Sequence, residues 1–359
     1  VENSSNERNS MEDNEIIEEV NKTLELTKTL FPFLALLSRE NDFSFEELLD
    51  STNFQELIIS FLQEKIEFKN FEKIIYIMKK IIKKNSRIVN DIRELYRNAD
   101  GKKVRELVGK HFIPSIEEKK KNAEIPTPVK LVDEMLHTIP SSYWTSLHKT
   151  LEPCCGKGNF VLGIFDLFFK GLRRKYREKE ERCRVIIEEC LYYCDISPMN
   201  VFITTELLKC HVEMKCGKRL NVKYNSWVGD TLKLNPEKEW KVKGFHAVIG
   251  NPPYQQVSIT GKSKGGGNNL YTPFIYWGDS YLEDNGILLF ITPSTFFSPG
   301  RSSNRNEMNI KKDIFEKYYF HYMNVNECGR YFKEGSSFVY YCLEKKKEEN
   351  KNLDIVCKY

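Results

Sequence analysis

The sequence is poor in the features that mark exported, membrane-spanning or strongly charged proteins. Its longest apolar run, Leu30-Phe31-Pro32-Phe33-Leu34-Ala35-Leu36-Leu37, is eight residues with a proline inside, far short of the ~20 needed to cross a bilayer. Residues 1–14 are polar and acidic, with neither the basic start nor the apolar centre of a secretory signal. No Cys-x-x-Cys pair occurs among the 10 cysteines. Several stand in apolar segments such as Tyr340-Tyr341-Cys342, so reduced, partly buried thiols are expected, and no metal site. Nor does one charge dominate: 55 Lys and Arg stand against 51 Asp and Glu, leaving +4. That balance excludes a histone-like polycation and leaves room for a local basic face.

What is present suits a globular chain. Hydrophobic residues make up 40% of the 359 and charged residues 30%, enough for a sizeable core and about two domains. Residues 1–11 read as a disordered leader. Residues 12–110 read as a helical accessory domain: Ile16, Ile17, Val20 and Leu24 fall at helical spacing, as do Phe54, Leu57, Ile58, Phe61 and Leu62, and then Phe71, Ile74, Ile75, Met78 and Ile82. Asn53 and Asn70 are the expected N-caps. No chemical motif appears in this part.

Residues 111–359 have another texture. Short apolar runs (Leu191–Cys194, His246–Ile249, Ile287–Ile291) alternate with helical stretches. Such alternation predicts an α/β fold, a mostly parallel sheet covered by helices, with ligands at the carboxyl ends of the strands. The residues that follow each strand therefore carry the chemistry.

After the first strand comes Glu152-Pro153-Cys154-Cys155-Gly156-Lys157-Gly158-Asn159-Phe160 and then the apolar helix Val161–Phe169. Two glycines permit a tight turn and close approach to a ligand, and the helix start offers free N–H groups. The third glycine of a dinucleotide fingerprint is out of register at Gly163, so nothing favours a pyrophosphate. Asp195, before Ile196, ends the second strand; it suits either a carboxylate for ribose hydroxyls or a plain strand-end cap. Asp230, in Val228-Gly229-Asp230-Thr231, invites the same two readings. The fourth strand runs into Asn251-Pro252-Pro253-Tyr254. Two prolines fix a rigid loop with free carbonyls beside an Asn side chain and an aromatic plane, groups that can accept both hydrogens of an exocyclic amine while stacking on its ring.

In this order the glycine loop, the two acidic turns and Asn-Pro-Pro-Tyr resemble the S-adenosylmethionine-dependent amino-methyltransferases, and most closely the adenine-specific DNA methyltransferases of restriction–modification systems. Ile125–Leu136 resembles the motif that precedes the glycine loop in their gamma-ordered members, Gly286–Ser294 their fifth strand, and Phe332–Tyr340 their closing hairpin. Glu152 stands where Asp is more usual, and Cys154-Cys155 where Ala-Cys is common. The resemblance, over about residues 105–345, implies a Rossmann-like methyltransferase fold with a C-terminal antiparallel hairpin. It also implies S-adenosyl-L-methionine as cofactor, with Thr127 and the Glu152–Phe160 loop at its methionine end, Asp195 at the ribose and Asp230 at the adenine. Asn251 and the Pro252 carbonyl would grip the N6 amino group of an adenine flipped out of DNA, and Tyr254 would stack on it.

Lys262 and Lys264, in the segment after Tyr254, and Arg301 and Arg305 after the fifth strand read as phosphate contacts or as solvated cations. The basic run Lys170–Arg184 leads away from the site and reads as solvated. Gamma-ordered members place a target-recognition domain after the hairpin, and about 15 residues follow Glu344 here. Specificity is then expected from the helical part, from a specificity subunit or dimer partner, or from a region outside this sequence. Two alternatives stand beside a DNA adenine methyltransferase: the same chemistry on RNA or on a protein glutamine, and a modification subunit serving a larger complex. The expected location is the cytoplasm, or a nuclear or viral compartment where DNA is accessible, with no membrane involvement.

Overall fold

A computed structural model describes residues 28, 30–40, 42–65, 71–111, 127–254, 270–294, 310, 316–325, 331 and 338–347. The chain divides into two compact units, Val1–Glu118 and Lys119–Tyr359. The pattern Ile16–Leu24 and the Asn70 cap lie outside the described residues.

The first unit is helical. Residues 30–37 form α1, followed by α2 (Phe45–Asp50), α3 (Thr52–Lys65), α4 (Phe71–Lys84), α5 (Ser86–Arg97) and α6 (Gly101–His111). The apolar stripes read from sequence face inward: Phe61, Leu62 and Met78 are at most 1% exposed, and Phe33 stacks on Phe61 at 4.4 Å. One boundary differs. Helix α3 begins at Thr52, which puts Asn53 inside the first turn and not at the cap. The cap the sequence analysis did not single out is Ser44, whose hydroxyl accepts from Glu47 N at 3.2 Å while the Glu47 carboxylate accepts from Ser44 N at 2.7 Å.

The second unit is built on a seven-stranded sheet in the order β3-β2-β1-β4-β5-β7-β6. Its strands are β1 (Thr150–Glu152), β2 (Leu191–Asp195), β3 (Asn225–Val228), β4 (Phe245–Gly250), β5 (Leu282–Pro293), β6 (Tyr318–Asn324) and β7 (Phe338–Lys345). Strands β1 to β5 pair in parallel, and β7 runs antiparallel between β5 and β6. The expected apolar runs are all strands, and β5 extends further than Ile287–Ile291. Its register against β4 jumps from Phe245–Leu282 to Ala247–Ile287, with Asn285 in the left-handed region at φ 61°.

Both faces of this sheet are covered, which is why its strands read as unbroken apolar runs. Leu191, Tyr193, Ala247, Ile249, Leu289, Tyr340 and Cys342 point into one core, and their neighbours Tyr192, Cys194, Val248, Leu288, Tyr341 and Leu343 into the other, the two-residue alternation of a strand. The first core takes the helices α7 (Val129–Leu136), α8 (Asn159–Gly171) and α10 (Pro198–Cys216). Arg182, on the short helix α9 (Lys179–Val185), departs from the expected solvated run. It is 3% exposed, its guanidinium sits 4.1 Å from the centroid of the Phe169 ring, and it donates to the Tyr176 carbonyl. Arg173, Arg174, Lys175 and Arg177 are exposed as expected.

Candidate active site

The strand order reverses between β1 and β4, and the loops after β1, β2, β3 and β4 therefore meet at one edge of the sheet, where open α/β sheets bind ligands. The loop after β1 turns through Gly156 and Gly158, both at positive φ (50° and 86°). A side chain on Gly158 would also meet Thr204 at 3.0 Å, so both backbone and packing call for glycine there. Cys155 N bonds to the Cys194 carbonyl, Gly158 N closes on the Cys155 carbonyl, and Thr204 Oγ1 donates to the Gly156 carbonyl at 3.0 Å. Phe160 anchors the start of α8 in the core, 4% exposed.

Asp195 ties this loop to β2. Its Oδ2 accepts from Gly156 N at 3.0 Å, and its Oδ1 accepts from Ser197 N at 2.9 Å and Asn200 Nδ2 at 3.1 Å. A carboxylate has about four lone-pair sites; three are in use, so Asp195 has room for one further donor. Burial pushes its pKa up, and the hydrogen bonds from Ser197, Gly156 and Asn200 and the charge of Lys157 oppose that rise. Lys157 Nζ donates to Asn200 Oδ1 at 2.9 Å. Asp195 is thus a strand-end cap, one of its two sequence readings, and also the strut of the glycine loop. Ile196 beside it is 73% exposed, a large apolar side chain held open at the same edge.

Asp230 caps the short 3-10 turn that follows β3, accepting from Leu232 N at 3.1 Å, and lies 3.4 Å from Lys233 Nζ. Its side chain is 37% exposed, and Oδ2, the oxygen not engaged by Leu232, is the one beside Lys233. Gly229 before it has φ 151°, and a side chain there would strike the Trp227 ring at 2.6 Å.

Glu152 is the most buried charge candidate of the group. It is 1% exposed; Oε1 accepts from Cys154 N at 3.0 Å, and Oε2 is buried with no hydrogen-bond partner. Burial pushes its pKa up to about 8, against the opposing hydrogen bonds at Cys154. A Cβ added to Gly250 would lie 2.4 Å from Glu152 Oε1, so the carboxyl group occupies the seam between the glycine loop and the Asn-Pro-Pro-Tyr turn. Thr231 Oγ1 donates to the Pro153 carbonyl at 2.6 Å, bracing the same seam. The thiols of Cys154 and Cys155 are driven well above the ordinary range by burial and by the neighbouring Glu152 and Asp195, which favours their neutral form.

The Asn251–Tyr254 turn leaves β4 with Pro252 buried and the other three half-buried. Asn251 Nδ2 donates to Thr127 Oγ1 at 3.0 Å, and the Tyr254 hydroxyl donates to Asn251 Oδ1. The Thr127 carbonyl in turn accepts from Asn159 Nδ2 at 2.9 Å. Thr127, expected at the cofactor, therefore also holds the Asn251 amide through Nδ2, while Oδ1 accepts from Tyr254. The Tyr254 ring lies 5.0 Å from the Phe338 ring at 39°. The structure thus brings together Thr127, Glu152 to Phe160, Asp195, Asp230 and Asn251 to Tyr254. Lys262, Lys264, Arg301 and Arg305 lie outside the described residues. Sequence reasoning missed Asn200 and Thr204 and gave Asn159 no role of its own within the Glu152–Phe160 loop; the Ser197-Pro198 helix start after β2 was the available signal for Asn200, three residues into the cap.

Such a sheet, with its ligand edge built this way, is the fold of the class I S-adenosylmethionine-dependent methyltransferases. A Listeria monocytogenes protein described as one of them has a TM-score of 0.50 at 14% identity, over 92% of this chain and 89% of its own. More particularly, residues 189–325 match the family model of the Eco57I restriction-modification methylases, a stretch that holds Asp195, Asp230 and Asn251–Tyr254. Two Type ISP restriction-modification enzymes also share the fold. LlaBIII, solved bound to DNA, gives a TM-score of 0.57 at 15% identity over 91% of this chain, and LlaGI, solved with a DNA substrate mimic, 0.57 at 14% over 95%. The chain spans 27% and 33% of their lengths. No curated protein matches the sequence.

Proposed function

We propose that this chain transfers a methyl group from S-adenosyl-L-methionine to the N6 amino group of an adenine in DNA. The observation that carries the proposal is the Asn251 amide. Its Nδ2 is committed to Thr127, so Oδ1, held here by the Tyr254 hydroxyl, is the amide's acceptor atom and precedes the Pro252 carbonyl in the turn. The match to restriction-modification methylases over the same stretch supports the DNA substrate.

The residues fit the cofactor. Gly156 and Gly158 bring backbone close to its methionine end, Asp195 retains one lone-pair site for a ribose hydroxyl, exposed Ile196 offers an apolar cover, and Asp230 an acceptor for the adenine amine. The orphaned Glu152 Oε2 is the matching partner for a cationic ammonium. When bound, the sulfonium supplies a methyl group on an excellent leaving group, so no strong base is required. The protein's contribution is positional. Asn251 Oδ1 and the Pro252 carbonyl accept the two amine hydrogens and orient the nitrogen lone pair. Tyr254 gives up its bond to Asn251 and stacks on the base, a contact worth about 1–3 kcal/mol against the few kcal/mol of flipping.

Incubation of the purified chain with methyl-labelled cofactor and, separately, duplex DNA, RNA and a release factor tests this, with the methylated product identified by mass spectrometry. N6-methyladenine in DNA is expected. Label entering only RNA or protein, or 4-methylcytosine as product, overturns it. Asn251→Ala should lower transfer about 100-fold or more, the scale of losing one preorganised hydrogen-bond partner, with cofactor affinity nearly unchanged. Asp195→Asn should weaken cofactor affinity first.

A further inference from the structure

The helical unit carries a charge division that the overall balance of +4 conceals. Residues 1–65 hold five Lys and Arg against fifteen Asp and Glu, whereas residues 71–111 hold twelve against five. Between Glu72 and Asp91 no acidic residue occurs, and Lys73, Lys79, Lys80, Lys83, Lys84 and Arg87 do. Helix α4 sorts these residues by face. Met78 (0% exposed) and Ile82 (5%) enter the bundle, and Lys79 is tied to Asp50. Tyr76, Lys80, Lys83 and Lys84 are exposed, and Arg87 follows at the start of α5. Positions 76, 80, 83 and 84 are three, four, seven and eight apart, so they share one side of the helix. Tyr76 is 58% exposed, and Lys80 Nζ lies 4.4 Å from the centroid of its ring.

We propose that this face of α4 is a sequence-independent docking surface for the phosphate backbone of duplex DNA, a reading that rests on DNA being the substrate of the catalytic unit. Duplex DNA presents one negative charge per ~1.7 Å of axis, and the face offers Lys80, Lys83 and Lys84 at about one helical turn, 5.4 Å, with Glu72 at its far end, a turn before Tyr76. Tyr76 adds an aromatic plane held beside an ammonium, which can pack on sugar or base edges. An anionic membrane is the poorer partner. Membrane-surface helices insert their apolar face, and the apolar face of α4 is already committed to the bundle through Met78 and Ile82. Phosphate contacts of this kind supply affinity without reading sequence.

The test compares the full chain with Lys80→Gln/Lys83→Gln/Lys84→Gln and with the matching Lys→Arg triple variant. Binding to a labelled duplex of arbitrary sequence is followed by anisotropy from 50 to 200 mM salt. Each lost phosphate contact removes about 0.9 from the slope of log affinity against log salt. The Gln variant should therefore lose about 2–3 from the slope and about tenfold or more in affinity at low salt, while the Arg variant keeps both. Thermal melting should be unchanged. An unaltered slope overturns the proposal, as does a loss seen only with anionic vesicles or polyglutamate. Failure in the Arg variant assigns the lysines to structure and also overturns it. A wild-type chain that binds duplex with the expected slope change but methylates no DNA would instead overturn the catalytic reading and leave the docking surface standing.

Discussion

At the scale of single residues, Glu152 and Thr127 carry most of what can be tested. Glu152 is protonated in the folded chain up to about pH 8 because burial disfavours its charge, whereas the ordinary glutamate value is 4.5. The folded state therefore holds a proton that the unfolded state has released between those values. Stability without cofactor is highest below pH 4.5 from this group and declines by about 1.4 kcal/mol per pH unit as pH rises toward 8. Denaturant melts across that window should show the decline, and Glu152→Gln should flatten it. Saturating cofactor should flatten it too, because an ammonium beside Oε2 holds the carboxylate ionised. Thr127→Val makes a different prediction: it removes the acceptor of Asn251 Nδ2, so kcat should fall about tenfold or more with a smaller change in cofactor affinity, and Thr127→Ser should restore it. Equal loss of both parameters would assign Thr127 to cofactor binding alone.

At the scale of elements, the site depends on how the β1 turn meets α10. Gly158 sits at φ 86°, a Cβ added there would come to 3.0 Å from Thr204, and Thr204 also holds the Gly156 carbonyl. Gly158→Ala should cost about 1–2 kcal/mol from the backbone conformation alone, and Thr204→Ala should relieve the contact without recovering that part. A double-mutant cycle read by thermal melts checks the partition. The same reasoning explains β5. The jump in register against β4, with Asn285 at positive φ, lets the strand begin at Leu282 and run through the polar Glu283, Asp284 and Asn285, which is why neither the apolar run Ile287–Ile291 nor the Gly286–Ser294 likeness reached its start.

At the scale of the whole molecule, cofactor binding should act on one unit. The residues that would hold it all belong to Lys119–Tyr359, so saturating S-adenosyl-L-methionine should stabilise that unit, by about 2.7 kcal/mol at 100 times the dissociation constant. Hydrogen exchange should show new protection at the amides of Gly156, Gly158 and Leu232, with the helices of Val1–Glu118 unchanged. Protection spread evenly over both units would mean that they respond to the cofactor as one. The net charge of +4 is likewise a property of the sum and not of the parts, since the helical unit divides into an acidic and a basic half.

The sequence by itself determined the fold class and marked the segments that form the candidate site. Apolar runs of four to six residues such as Leu191–Cys194, alternating with helical stretches, suit strands buried on both faces, and Gly156-Lys157-Gly158 and Asn251-Pro252-Pro253-Tyr254 mark local backbone demands that need no distant partner to be legible. Tertiary structure decided everything that depends on two segments meeting. That Asp195 braces Gly156, 39 positions away, that Thr127 orients Asn251 across 124, that Glu152 is left buried with an orphaned oxygen, and that Arg182 is covered by Phe169 all arise from contacts between residues remote in sequence. Periodicity and spacing describe what one segment does to itself. Burial, hydrogen-bond partners and pKa shifts are set by which other segment it is folded against.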